Sequence, residues 1–299
     1  MEPEICVIVN TTAGKQDGAE RIEAIRNAFR RAGAEVDMCP FGRGEDACDA
    51  VRGALARGRF AVVVAGGDGT VSAVAGSLAG TGHPMGVLPF GTFNYFARSI
   101  GLPEELDEAA RVIVAGHTRT LDLGEVNGRV FLNNASLGAY PTILDQRERF
   151  YRRWGRSQIA AYWSMLVTLL RFRRDLRVTM DVDGDRRHLR TPLIFVAKNA
   201  GQLEAVGLEG GDCVRSGRFA VFVAPDAGRL ALLLHTLRVG LGLAEPGEDF
   251  ELFCGRDVRV ETASSRRLVA RDGEREQMDS PFVFRLLPGA LDIFVPAEG

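Results

Sequence analysis

At 299 residues the chain is long enough to build two hydrophobic cores. Its 46% hydrophobic and 25% charged residues are those of an ordinary globular protein and exclude a disordered or low-complexity chain. A net charge of −2 excludes binding to nucleic acid by bulk electrostatics. The cysteines Cys6, Cys39, Cys48, Cys213 and Cys254 are widely scattered and show neither a disulfide framework nor zinc-ligand spacing, which leads us to expect a reducing cytoplasm. The first residues are acidic and run straight into a strand, with no signal peptide visible. No apolar run reaches the roughly 18 residues of a membrane-spanning helix, so the expectation is a soluble or at most surface-associated protein. Only Lys15 and Lys198 are lysines, and every other basic side chain is arginine.

In chain order, Ile5 to Asn10 reads as a first strand, followed by the turn Thr11-Thr12-Ala13-Gly14-Lys15. Ile22, Ile25, Ala28 and Phe29 lie at the spacing of one buried face, predicting a helix from Ala19 to Ala32 that ends at Gly33. A strand begins at Val36, a helix follows from Asp46 to Ala56, and Phe60 to Val64 is a short β-branched run that reads as a buried strand. Directly after it stands Gly66-Gly67-Asp68-Gly69-Thr70, then an apolar helix from Val71 to Leu78. Strand, glycine turn and helix together present backbone N–H groups and a positive helix end to an anion. Glycine lets the backbone approach a phosphate closely. Asp68 would repel that phosphate unless a divalent cation stood between them, so the motif suggests nucleotide plus metal, with a plain tight turn as the other reading. Met85 to Pro89 is another strand, with a second glycine turn at Gly91-Thr92-Phe93-Asn94, and a helix from Glu105 to Ala115 closes this half. Strands alternating with helices predict a parallel sheet covered on both faces.

Near Leu121 the texture changes. Leu121 to Val126, the turn Asn127-Gly128 and Val130 to Asn133 read as a hairpin. Leu176 to Val182, Thr191 to Ala197, Arg218 to Val223, Asp257 to Thr262 and Phe282 to Leu287 also read as strands, with Asp183-Gly184 and Asp272-Gly273 as hairpin turns. The expected fold is therefore an N-terminal Rossmann-like α/β domain over residues 1–126 and a C-terminal antiparallel β-sandwich over 127–299. Whether the last strand, Leu291 to Val295, returns to the first domain is left open. A helix from Gln158 to Phe172 interrupts the β region between two arginine clusters. Contact with an anionic membrane surface is one reading of it, and a core helix with solvated ends is the other.

Val7-Ile8-Val9-Asn10 with Gly14-Lys15, Gly66 to Thr70, Leu88 to Asn94, Leu121 to Gly124, Phe131-Leu132-Asn133-Asn134 and Arg271-Asp272-Gly273-Glu274 run through nearly the whole chain. In this order and spacing they resemble the diacylglycerol kinase catalytic-domain family, which includes bacterial soluble lipid kinases and sphingosine kinases. The resemblance implies an NAD kinase-like two-domain fold with an ATP site in the cleft between the domains. It also implies transfer of the γ-phosphoryl group to a lipid hydroxyl with magnesium present. On this reading Gly66, Gly67, Asp68, Gly69, Thr70, Val71 and Ser72 bind the phosphates, together with Asn10, Lys15, Thr92 and Asn94. Asp68 holds magnesium, and Asp122 belongs to the same metal-linked acidic network. Glu274 accepts the proton of the acceptor hydroxyl, with Asp272 supporting or replacing it. Without the resemblance, Lys15 reads equally well as a solvated turn residue and Asp122 as a strand-edge acid. Asp272-Gly273 then reads as an ordinary hairpin dipeptide, and Glu274 as an exposed strand residue.

The chain departs from the family's pattern in three places. Tyr95 stands where the family has an acid that helps organise magnesium. Cys213 to Arg218 is basic, with Ser216 at the position of an acid of a structural metal site, so that second site is not expected here. Pro40 falls near the place of a nucleotide-contacting threonine. The leading expectation is a cytoplasmic ATP- and magnesium-dependent lipid kinase, peripheral contact with the inner membrane surface included. The alternatives are a non-catalytic nucleotide- or lipid-binding regulator on the same scaffold and a soluble small-molecule kinase. No nucleic-acid partner is expected, and oligomeric state is left open, a homodimer included.

Overall fold

The computed structural model describes residues 4–11, 18–42, 46–91, 93–138, 176–205, 207–226 and 250–297. The chain forms two compact units, residues 1–123 with 287–299, and residues 124–286. The long strand β16 (Phe282–Phe294) therefore leaves the second unit and ends in the first. From sequence its two apolar runs read as separate strands, because Pro288 and Gly289 lie between them. These two residues occupy an exposed stretch of the strand, where a missing N–H and a missing side chain cost little.

In the first unit, β1 (Ile5–Asn10), β2 (Val36–Phe41), β3 (Ala61–Gly66) and β4 (Met85–Pro89) are parallel in the order β2-β1-β3-β4, with Ile293 of β16 beside Met85 of β4. Helices α1 (Gly18–Arg31) and α5 (Leu106–Ala115) cover one face. Their Ile25, Ala28, Phe29, Ala109, Ala110 and Ile113 join Val7, Val9, Val63 and Ala65 in one core. Helices α2 (Ala47–Ala56) and α3 (Asp68–Leu78) pack against each other and the strands but contribute nothing to that core, so they cover the opposite face. Asp46 caps α2, its carboxylate accepting the N–H of Cys48 at 2.9 Å. The short α4 (Tyr95–Ser99) follows the second glycine turn. β5 (Thr118–Val126) begins in this unit and runs into the next.

The second unit is the expected sandwich. A six-stranded antiparallel sheet has the order β12-β11-β10-β7-β14-β15. Its strands are β7 (Asn134–Gly138), β10 (Leu193–Ala197), β11 (Phe219–Val223), β12 (Glu251–Gly255), β14 (Arg266–Arg271) and β15 (Glu274–Asp279). Facing it are β8 (Leu176–Val182), β9 (Asp185–Thr191), β13 (Val258–Thr262) and the first half of β16, while β6 (Arg129–Phe131) completes the Asn127-Gly128 hairpin with β5. Phe131 is the centre of the core between them. Its ring stacks on Phe219 at 5.8 Å, meets Phe284 edge-on at 6.4 Å and lies where a side chain at Gly124 would have to go. β7, β9, β12, β14 and β15 are missing from the strand reading, and in β9 and β15 charged residues conceal the alternation. β9 is an exposed edge strand whose arginines face solvent.

Helices α6 (Ala200–Ala205) and α7 (Gly211–Arg215) pack on β10 and β11 through Leu203, Cys213, Ala220 and Phe222. Cys213 is disulfide-bonded to Cys254 of β12, their Cα atoms 5.5 Å apart. This corrects the reading that the scattered cysteines show no disulfide framework. A separation of 41 residues carries no spacing signal, and only the packing of α7 beside β12 brings the two together. The crosslink also removes the cysteine argument for a reducing compartment.

Phe131→Ala empties the middle of the second core and is expected to cost about 3–5 kcal/mol in urea unfolding, with Phe131→Leu costing distinctly less. Equal costs for the two would place Phe131 outside the core.

Candidate functional site

The order β2-β1-β3-β4 places a switch point between β1 and β3, where successive connections leave in opposite directions. In open parallel sheets the crevice beyond such strand ends is where ligands bind. Asn10 ends β1, and the Gly66-to-Thr70 turn follows β3. They meet there, Asn10 Nδ2 donating to Thr70 Oγ1 at 3.2 Å.

The helix α3 begins at Asp68, three residues earlier than its apolar pattern shows, with Gly67 as its N-cap and no side chain capping the first turn. The amides of Asp68, Gly69 and Thr70 have no acceptor within the helix, and a positive end of the helix dipole coincides with them. Val71 was expected to lend its amide too, but that N–H is bonded to the carbonyl of Gly67 at 3.0 Å. Ser72 lies buried one residue further along the helix. Gly66 holds the turn tight, since a Cβ there would come within 2.8 Å of the Thr70 side chain.

The second glycine turn, after β4, lies against the first. A Cβ on Gly91 would come within 2.8 Å of Gly67 Cα, and one on Gly67 within 3.3 Å of Gly91 Cα. Phe90 N–H bonds to Gly66 carbonyl at 3.0 Å and continues the register of β3 and β4 into the loops. Asn94 has a left-handed backbone at φ 49° and is only 8% exposed. Its Oδ1 accepts the N–H of Gly91 at 2.9 Å, and Nδ2 points to the carbonyl of Pro89 at 3.5 Å. These bonds make Asn94 the residue that shapes the turn. Asp68 ties the two loops together, Oδ1 accepting the N–H of Phe96 at 3.3 Å. Tyr95 stacks its ring on Phe93, with centroids 5.4 Å apart, so a hydroxyl-bearing aromatic stands where the family pattern has an acid.

Arg21 is a site residue that the sequence reading passed over. It is 2% exposed, Nη1 donates to the carbonyl of Asn10 at 2.7 Å, and the guanidinium lies over the Phe90 ring at 5.2 Å. It joins the end of β1 to the loop after β4, and burial lowers its pKa from the usual arginine value. The available signal was its position: residue 21 falls on the same helical face as Ile25 and Ala28, where a cation is out of place. Asp122 is exposed on β5, and its Oδ1 accepts the N–H of Gly289 at 2.9 Å, the strand-edge arrangement. Lys15, Thr92 and the arginine-flanked helix at 158–172 lie outside the described residues.

In the second unit, Asp272 and Gly273 both have positive φ, at 45° and 89°, and form the tight turn joining β14 to β15. The Asp272 carboxylate accepts three backbone N–H bonds, from Leu132 at 2.7 Å, Asn133 at 2.8 Å and Asn134 at 3.0 Å. Its own N–H returns to the Asn134 carbonyl at 3.0 Å. Buried Asn133 and Asn134 extend this network through Asn199 at 2.7 Å and Gln202 at 2.8 Å, two residues that sequence reading did not single out. Asp272 thus acts as an anchor, with its oxygens committed to backbone amides. Glu274, the first residue of β15, is exposed, and its side chain shows no hydrogen bond or ion pair among the described residues, so its carboxylate is accessible.

Residues 4–126 match the diacylglycerol kinase catalytic domain, and residues 146–295 match the YegS C-terminal NAD kinase beta sandwich-like domain. A diacylglycerol kinase of Bacillus subtilis is 31% identical over 182 residues, covering 60% of this chain and 59% of that protein. A "Probable lipid kinase YegS-like" of Pseudomonas aeruginosa is 44% identical over 128 residues, 42% of each chain. The chain thus aligns with less than two thirds of the length of these two relatives. A protein of the same description from Pseudomonas fluorescens is 31% identical over 291 residues, covering 95% of this chain and 94% of its own. The crystal structure of a diacylglycerol kinase from Bacillus anthracis has the same fold, with a TM-score of 0.74 over 99% of both chains at 22% identity. With one family match spanning half the chain and a relative aligned along nearly its whole length, the protein belongs to the diacylglycerol kinase and YegS-like lipid kinase family.

Proposed function

We propose that the protein is an ATP- and magnesium-dependent lipid kinase that moves the γ-phosphoryl group of ATP to the hydroxyl of a lipid alcohol. The observation that carries this reading is the pair of glycine turns at the ends of β3 and β4. Their backbones approach so closely that a Cβ on Gly91 would collide with Gly67, and the first turn of α3 beside them has no side-chain cap. A phosphate fits such a cradle because backbone amides and a helix end neutralise its charge without a bulky side chain. Magnesium, when bound, would add neutralisation of the phosphoryl oxygens, and Asp68 at the first position of α3 is the residue to hold it.

The chain's own groups divide the remaining work. Amides of the α3 first turn bind phosphate oxygens, and Asn10 orients the Thr70 hydroxyl at the same strand end. Arg21 holds the end of β1 by its carbonyl, and Asn94 fixes the second turn. Glu274 takes the proton of the acceptor hydroxyl, while Asp272 holds the turn from which Glu274 projects. The family supports a lipid acceptor, and diacylglycerol-like alcohols are the first to test. No described helix is long and apolar enough to cross a membrane. Our reading is an enzyme that meets its lipid at the membrane surface.

The test is transfer from γ-labelled ATP to extracted membrane lipids. A labelled lipid product is expected with wild type, and Asp68→Ala and Glu274→Gln are expected to lower turnover by about 100-fold or more. If ATP stabilises the protein thermally in the presence of magnesium yet no lipid is labelled, the chain is the non-catalytic regulator instead. Gly91→Ala should weaken ATP binding by roughly tenfold or more while leaving the second unit's unfolding unchanged, because the added methyl pushes the two turns apart. Asp272→Asn is expected to destabilise the protein by about 1–3 kcal/mol, since an amide N–H₂ then faces a backbone donor. A stability loss without change in turnover would remove Asp272 from the chemistry altogether.

A further inference from the structure

Away from the glycine turns, Cys6 of β1 and Cys39 of β2 face each other on the side of the sheet covered by α2. Cys6 pairs with Asp37 and Ile8 pairs with Cys39, so Cys6, Asp37 and Cys39 share one face, and the two Sγ atoms lie 2.6 Å apart. Cys6 is fully buried, while Cys39 is half-buried and opens into a cleft of about 560 Å³ that it lines with Asp37, Asp49, Arg57 and Arg59. Arg57, at the C-terminal end of α2, places Nη2 2.9 Å from Cys39 Sγ and 3.9 Å from Cys6 Sγ. Asp37 is occupied by both cations, Arg57 Nε at 3.5 Å and Arg59 Nη2 at 3.4 Å.

Two sulfurs and a carboxylate within 4.8 Å of one another have the spacing of a metal site. Arg57 against the sulfurs, and Arg57 and Arg59 against the carboxylate, oppose a divalent cation, and Arg57 favours an anionic sulfur instead. We propose that Cys6 and Cys39 form a hydroperoxide-reactive dithiol, with Cys39 as the attacking sulfur and Cys6 as the resolving one. The Cys39 thiolate attacks the terminal peroxide oxygen, an S–O bond forms, the O–O bond breaks, and the leaving oxygen takes a proton to become an alcohol or water. Cys6 then attacks the sulfenic sulfur, the S–S bond forms, the S–O bond breaks, and hydroxide leaves as water with the Cys6 proton. Two thiols are oxidised by two electrons and one peroxide is reduced.

The protonation states suit these roles. The pKa of Cys39 is lowered to about 7, first by the S–H bond it accepts from Cys6 and then by Arg57, while burial and Asp37 oppose the shift. The pKa of Cys6 is raised, first by its bond to Cys39, then by burial and by the charges of Cys39 and Asp37. Cys39 is therefore ionised first, with Cys6 held as its proton donor.

The test uses the full chain and thiol chemistry alone, so its outcome is independent of kinase activity. After hydrogen peroxide and alkylation, peptide mass analysis of wild type should show Cys6 linked to Cys39, apart from the Cys213–Cys254 peptide. Cys6→Ser should leave a Cys39 sulfenic acid that dimedone captures. The alkylation rate of Cys39 should rise through about pH 7. Arg57→Gln should slow it roughly threefold or more at neutral pH. The proposal is overturned if wild type yields no linked peptide and Cys39 alkylates no faster than Cys48 at neutral pH, a comparison that needs no variant to fold.

Discussion

The candidate site depends on one steric constraint, the contact of two glycine backbones at Gly67 and Gly91. The parallel register that sets Gly66 beside Pro89 brings the loops after β3 and β4 to the same height, and the bond from Phe90 to Gly66 keeps them there. With no side chain between them, the turn that opens α3 and the second loop stand backbone to backbone. Asn94 holds that geometry by bonding the backbone of the second loop, and Asp68 by bonding the first turn of α4 that follows it. Several residues whose chemistry suggests ligand contact therefore work first as scaffold, a division common where loops must be held against a charged substrate.

The second unit repeats this division with different parts. Asp272 is committed to three backbone amides and Glu274 to none, although they stand two residues apart on one hairpin. A carboxylate tied to three backbone amides gives rigidity, and an accessible one can accept a proton. The pattern Phe131-Leu132-Asn133-Asn134 takes its meaning from the same place. Phe131 fills the core, and the amides of the next three residues seat the Asp272 turn.

The cluster at Cys6 and Cys39 belongs to the same sheet but not to the same chemistry. Cys6 lies four residues before Asn10 on β1, and Cys39 two before Phe41, whose carbonyl receives the Thr11 N–H at 3.0 Å. A covalent change at the sulfurs would thus act on the strands that carry the candidate site at their carboxyl ends. The first unit holds both a candidate phosphate cradle and a reactive sulfur pair on consecutive strands.

Much of the fold was legible in sequence because its signals are local. β-branched runs bounded by glycine, a helical stripe at Ile25, Ala28 and Phe29, and Asp-Gly turns each follow from the conformations their own residues allow. Charged strands such as β9 and β15 were hidden, because an exposed edge tolerates any side chain and leaves no alternation to read. By itself the sequence determined the alternation of elements, the switch to antiparallel strands near Leu121 and the two glycine turns. Only the tertiary structure decided that Arg21 is buried under the Asn10 carbonyl, that Asp272 is held by three backbone amides, that Cys213 joins Cys254, and that Cys6 meets Cys39. These depend on distances between residues far apart in the chain, set by sheet register and packing, and no local preference of either partner encodes them.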